Sequence, residues 1–276
     1  MSRNQDRLGG VQQPDTSPPP QQGGGGFSFV IPTEFVDLPS QGRFYPQRHP
    51  LHGRESIEIK QMTAKEEDIL TSRSLLKKGV AVDRLIDSIV VDKNISTKDL
   101  LIGDRNAILI AARVSGYGSE YKTQVQCPAC ETKQKYAFDL NDATIEEGGV
   151  GDDTDTIDNG DGTITCFLPK TDVKVVARLL TGRHEPNITK VSKSDQIISK
   201  QLEAIIVSVN DDRSHNAIRY VANNIPSMDS RYLRNELKKA TPNIDLTQEF
   251  SCEECGHTQE MEVPLTADFF WPDRRV

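Results

Sequence analysis

The apolar positions change period several times along the chain, and each change marks an expected element. Ile57 and Ile59 alternate with Glu58 and Lys60, the two-residue period of a half-buried strand. Thr63-Ala64-Lys65-Glu66 then reads as a capping box, and Ile69, Leu70, Leu75 and Leu76 supply the buried side of a helix that Gly79 ends. A second helix carries Val82, Leu85, Ile86, Ile89 and Val90, and a third begins near Asp104 and includes Ile108, Leu109 and Ala112. After Gly116-Tyr117-Gly118 the period returns to two. Tyr121, Thr123 and Val125 lead into Cys127-Pro128-Ala129-Cys130, and Tyr136 and Phe138 lead out, which predicts a hairpin closed by a cysteine turn. Upstream, Leu38-Pro39-Ser40-Gln41-Gly42 reads as a rigid turn, because Pro fixes one dihedral and Gly permits a positive one.

The second half of the chain resembles the first. Leu168-Pro169 echoes Leu38-Pro39, Val173 and Val175 echo the Ile57/Ile59 strand, and helices are expected again over 197–209, 217–222 and 232–240. Toward the end the correspondence is closest. A shift of 125 residues maps Cys127 to Cys252, Cys130 to Cys255, Gln134 to Gln259, Phe138 to Val263 and Leu140 to Leu265. The expected fold class is therefore α+β: two pseudo-repeated lobes of helices plus short antiparallel strands, over 27–141 and 163–276. Ahead of them, residues 1–26 are Gln, Pro, Gly, Ser and Asp with almost no apolar content, a composition expected to stay disordered. Between them, residues 142–162 are expected as an acidic, solvated linker with an Asn159-Gly160 turn. Asp153 and Asp155 have the first spacing of a calcium loop, but no Gly and terminal Glu follow at the required positions, so calcium is not expected.

Chemistry enters through the cysteines. Cys127/Cys130 and Cys252/Cys255 each have Cys-x-x-Cys spacing, the tight turn that lets two sulfurs reach one ion, and two such turns complete a tetrahedral four-sulfur shell. We read them as one structural zinc site that closes a loop covering nearly half the protein and joins the two lobes. A thioredoxin-like redox turn would open a helix, whereas Glu131 to Leu140 alternates like a strand. Disulfides are not expected either, since the polar start lacks the apolar segment of a signal peptide and a reducing compartment follows. Four thiolates leave no open position for water or substrate, so the zinc is structural rather than catalytic.

Composition narrows the rest. At 276 residues and 36% hydrophobic, the chain can bury one large core or two small ones. The longest apolar runs, such as Ala107 to Ala112, are far short of a membrane span. The net charge of -8 is placed almost wholly in residues 142–161, where there are eight carboxylates and no Lys or Arg. The remainder is near neutral, without the basic excess that draws a protein onto nucleic acid. Cys166 is expected in the core, and His257 either beside the metal ligands or exposed rather than replacing a thiolate. His49, His52, His184 and His215 show no catalytic spacing, and no nucleophile elbow, phosphate loop or dinucleotide fingerprint appears. No enzyme and no small-molecule substrate is expected. Asp104-Arg105 fits a helix-capping Asp and a surface or interface Arg, and Phe269-Phe270-Trp271-Pro272 fits an interface anchor or a core closure equally.

Taken in order, Leu38-Pro39-Ser40-x-Gly42, Tyr45, Met62-Thr63-Ala64-x-Glu66-Glu67-Asp68, Gly103-Asp104-Arg105, Gly116-Tyr117-Gly118-x-x-Tyr121 and Cys127-Pro128-x-Cys130 resemble the baseplate hub proteins of T-even-type contractile-tailed bacteriophages. The resemblance covers residues 35–140 well and the second half more loosely. It implies a non-enzymatic hub component or hub assembly factor whose partners are other baseplate or hub proteins. It also implies a location in the infected bacterium during assembly, or in the tail baseplate itself. The competing reading is a zinc-ribbon nucleic-acid-binding regulator, opposed by Glu131, Glu253 and Glu254, which sit where phosphates would approach the cysteine turns.

Overall fold

Strands β1 (Thr33–Asp37) and β2 (Ser56–Lys60) pair antiparallel, with Val36 opposite Ile57. The protein is seen here as a computed structural model describing residues 30–151, 155–184, 197–264 and 267–270. The loop joining β1 and β2 folds back at Gly42, whose φ is 71°, and a Cβ there would lie 2.4 Å from the Leu51 carbonyl oxygen. Only glycine fits that turn.

Helices α1 (Ala64–Thr71), α2 (Arg73–Lys78), α3 (Ala81–Ile89) and α4 (Ile102–Tyr117) follow. The single helix expected up to Gly79 is two, broken at Ser72, where ψ of 107° is extended backbone. Leu70 is buried, but α2 buries nothing and Leu76 is exposed, so that second turn adds little to the core. In α3 the expected positions Leu85, Ile86 and Ile89, with Val90 just after, are all buried. Hairpin β3 (Glu120–Gln126) and β4 (Lys133–Asp139) then forms as the alternation predicts, with Tyr121, Thr123 and Val125 inward.

The segment expected as a solvated linker is hydrogen-bonded near both ends. Strand β5 (Thr144–Glu146) lies there, and its partner is β10 (Asn243–Asp245). Strand β6 (Thr156–Asp158) opens a four-stranded antiparallel sheet, β6-β7-β8-β9, with β7 (Thr163–Phe167), β8 (Lys174–Arg178) and β9 (Ile206–Val209). The helix expected over 197–209 stops early. Helix α5 (Ile197–Ile205) gives way to β9 because Ile206-Val207-Ser208-Val209 is rich in β-branched residues and pairs with β8 through Ile206, Ser208 and Val209. Helices α6 (His215–Asn224) and α7 (Ser227–Ala240) and hairpin β11 (Thr247–Ser251) and β12 (Thr258–Glu262) follow, and a short 3-10 turn covers Ala267–Phe270. Buried apolar residues from both halves form one core cluster.

Buried polar groups hold this core in register. The Asp104 carboxylate accepts from the Ser40 N–H (3.0 Å), the Ser40 hydroxyl (2.7 Å) and the Tyr45 hydroxyl (2.7 Å), and the Tyr45 oxygen in turn accepts the Leu101 N–H. Asp104 therefore clasps the Leu-Pro-Ser turn rather than capping α4. Burial raises its pKa against those hydrogen bonds, and burial beside Asp104 raises that of Tyr45. Asp229, 125 residues later and equally buried, repeats the arrangement. It accepts from the Lys170 N–H, the Thr171 N–H and the Thr171 hydroxyl, just after Leu168-Pro169. Arg105 is buried, not a surface residue, and donates to the Thr97 carbonyl and to Asp83. Arg113, fully buried, donates to the carbonyls of Phe269 (2.6 Å), Gly118 (2.6 Å) and Glu120 (3.1 Å). Phe269 and Phe270 are buried as well, which decides for core closure at those two aromatics. Residues 1–26, Asp152, Asp153, Leu265, Trp271 and Pro272 lie outside the described residues.

Two stability outcomes follow from these clasps. Asp104→Ala strands donors on Ser40 and Tyr45, both buried, and is expected to cost about 3 kcal/mol in urea unfolding. Asp229→Ala frees Lys170 and Thr171, both exposed, and is expected to cost only about 1 kcal/mol; equal losses would contradict the assignment. At Glu66, burial opposes ionisation, but donation from Ser88, Thr63 and Lys60 outweighs it and brings the carboxyl down to about 2. A depressed carboxylate stabilises above its unfolded pKa of 4.5 and loses that contribution as pH falls toward 2. Comparing wild type with Glu66→Gln, the difference in stability is expected to shrink by roughly 3 kcal/mol between pH 6 and pH 2.

Candidate metal centre

Each cysteine turn is shaped by its own backbone. In the first, the Cys127 N–H donates to the Thr132 carbonyl at 2.9 Å and the Glu131 N–H to the Cys127 carbonyl at 2.9 Å. In the second, the Cys252 N–H donates to the His257 carbonyl at 2.9 Å and the Gly256 N–H to the Cys252 carbonyl at 3.0 Å. Glu131 and Gly256 both take positive φ, 59° and 68°. The 125-residue offset seen in the cysteines thus carries through the hydrogen bonds and the left-handed residue. It carries through strand register too: Val125 opposite Gln134 becomes Phe250 opposite Gln259, and Thr123 opposite Tyr136 becomes Gln248 opposite Met261.

The structure brings all four predicted sulfurs together. Cys127 Sγ lies 3.8 Å from Cys255 Sγ, Cys130 Sγ lies 3.7 Å from Cys252 Sγ, and all four fall within 4.8 Å of one another. Those separations are far beyond a disulfide bond. They match the edge of a tetrahedron with metal–sulfur bonds of ~2.3 Å, which is roughly 3.8 Å. Among the described residues this is the one cluster of three or more His, Cys, Asp or Glu side chains close enough to hold an ion. Cys127 and Cys252 are buried and Cys130 and Cys255 exposed, so the centre sits at the surface with its inner half in the core.

Local donors prepare the site for negative sulfur. The Thr132 hydroxyl and N–H pull the Cys130 thiol down to about 6. At Cys255 the His257 N–H acts in the same direction, but the other three sulfurs, Cys130 foremost, push it up to about 12. One more negative sulfur beside its neighbours is costly, and a cation among them reverses that cost. His257 lies outside the cluster, its ring against Gln259 at 3.3 Å. Cys166 is buried in β7, where burial raises its thiol to about 11 and Thr156 donates to its sulfur.

The two hairpins also touch through side chains that spacing did not reveal. Gln134 donates to the Ser251 carbonyl and accepts the Glu253 N–H, while Gln248 accepts the Asp139 N–H and donates to the Asp139 carbonyl. Tyr136 donates to the Glu249 carbonyl and packs on Phe250 at 5.1 Å between ring centres. Each is a polar or aromatic residue on a strand, a pattern shared by many solvated strands. Asp229 was legible in principle, since the cysteine offset applied to Asp104 lands on it.

No helix among the described residues is long and apolar enough to cross a membrane. No curated protein and no solved structure matches the chain. A family model described as T4 bacteriophage base plate protein matches residues 32–271, which takes in both halves and all four cysteines. The chain belongs to the T4 bacteriophage base plate protein family.

Proposed function

We propose that the protein is a non-enzymatic subunit of the tail baseplate hub, or a factor that assembles the hub, and that it works as a zinc-stabilised scaffold for other baseplate proteins. The observation that carries this reading is the four-sulfur cluster of Cys127, Cys130, Cys252 and Cys255 within a family match to a base plate protein. A four-thiolate shell closes the ion off from substrate, so its contribution is to stability and geometry. On this reading the zinc holds two copies of one ancestral unit in fixed orientation, over 27–141 and 163–276, with 142–162 between them. A surface fixed in advance binds a partner with less ordering cost than a mobile one. The exposed Glu131, Glu253 and Glu254 around the cysteine turns favour a protein partner over a phosphate backbone.

Metal analysis of purified protein is expected to return one zinc per chain, and none in a Cys127→Ser/Cys252→Ser variant, while Cys166→Ser keeps its full metal content. Chelation is expected to lower unfolding stability by on the order of 4 kcal/mol, the scale of a cross-link closing a loop of roughly 100 residues. Metal-free wild type of unchanged stability would sink the staple. For the scaffold itself, co-purification with baseplate proteins is expected, and a salt-dependent DNA shift assay is expected to show no complex. A DNA complex without any tail partner would transfer the protein to the regulator class.

A further inference from the structure

Away from the metal, the segment from Phe44 to His49 faces the turn at Asp161–Thr163 and the segment from Arg178 to His184 across a cavity of about 390 Å³. Two buried nitrogen donors on its lining lack an acceptor among the described residues, and a second histidine supplies a third N–H. His49 Nδ1 accepts the Leu51 N–H at 3.2 Å, which places its proton on Nε2, and that Nε2 is buried without a partner. His184 Nδ1 accepts the Thr181 N–H at 3.1 Å, so its proton is on Nε2 as well. Arg178 Nε is buried and unpartnered. The acids on the same lining are already engaged. Asp99 is held by the Arg183 guanidinium, and Asp161 accepts from the Thr163 N–H (3.0 Å) and hydroxyl (2.6 Å).

The cavity therefore has donors to spare, one of them on a cation, while its acids are satisfied. Burial lowers the pKa of both histidines, against the Asp99 charge at His49 and with the Arg178 charge at His184, which favours the neutral ring with its one N–H. Phe44, Leu101, Leu179 and Val207 give the cavity an apolar wall beside these polar groups. A bare inorganic anion would leave that wall unused, whereas a carboxylate on a short methylene stem would meet both the donors and the apolar wall.

We propose that this cavity is a carboxylate-binding site that receives a Glu or Asp side chain from a protein partner, with Arg178 as its charged contact and His49 and His184 as flanking N–H donors. It goes beyond the scaffold reading and needs no metal, so either can fail without the other.

The test is a titration of the full chain, followed by the ring N–H resonances of His49 and His184. The probes are N-acetyl-glutamate methylamide, its glutamine counterpart, and acetate. Both rings are expected to shift saturably with the glutamate probe, at least tenfold more tightly than with either other probe. Arg178→Gln is expected to weaken that binding at least tenfold with the zinc content intact, and Arg178→Lys serves if the glutamine variant does not fold. No saturable shift, equal binding of the glutamine probe, or indifference to both Arg178 substitutions would overturn the site. Acetate binding as tightly as the glutamate probe would overturn the side-chain occupant and leave a site for small free carboxylates.

Discussion

Two hairpins, far apart in sequence, must meet at their tips with four sulfur atoms inside one small volume. Closing so long a loop costs configurational entropy that a few surface contacts do not offset. The shared core brings the two halves together, and Gln134, Gln248, Tyr136 and Phe250 add direct contacts between the hairpins before any ion is considered. The proposed zinc would then bind a set of thiols already close to its preferred geometry, instead of gathering them from a disordered chain.

The same offset of 125 residues governs more than the cysteines. Asp104 and Asp229 each leave the first turn of a helix to gather N–H and hydroxyl donors from a turn that follows a Leu-Pro pair. A buried carboxylate is tolerable only when its oxygens are so occupied, and such a group penalises any packing that misplaces the donors. These contacts therefore favour one arrangement of helix against strand in each half. Apolar burial alone would tolerate neighbouring ones.

Much of this was legible from residue order, and the exceptions have physical reasons. The cysteine turns, the capping box at Thr63 and Glu66, the β3 alternation and α3 were readable because each depends on neighbours within a few positions. The break at Ser72 and the helix-to-strand change after Ile205 were not, since the competing choices there are settled by what β8 and the core offer. Residues 142–162 looked like a linker because their charge outweighed the short strands at Thr144–Glu146 and Thr156–Asp158, whose partners lie elsewhere in the chain. Arg113 was invisible for a related reason. All three of its acceptors are backbone carbonyls, which leave no mark in side-chain pattern.

That arginine has a consequence for synthesis. Its Nε partner, the Phe269 carbonyl, lies 156 positions downstream. While the ribosome is still making the later half, the guanidinium has only its two early acceptors, the Gly118 and Glu120 carbonyls, and its Nε stays hydrated. Until the Phe269 segment has been made, that nitrogen and the Tyr121 ring lack partners that they have in the finished protein.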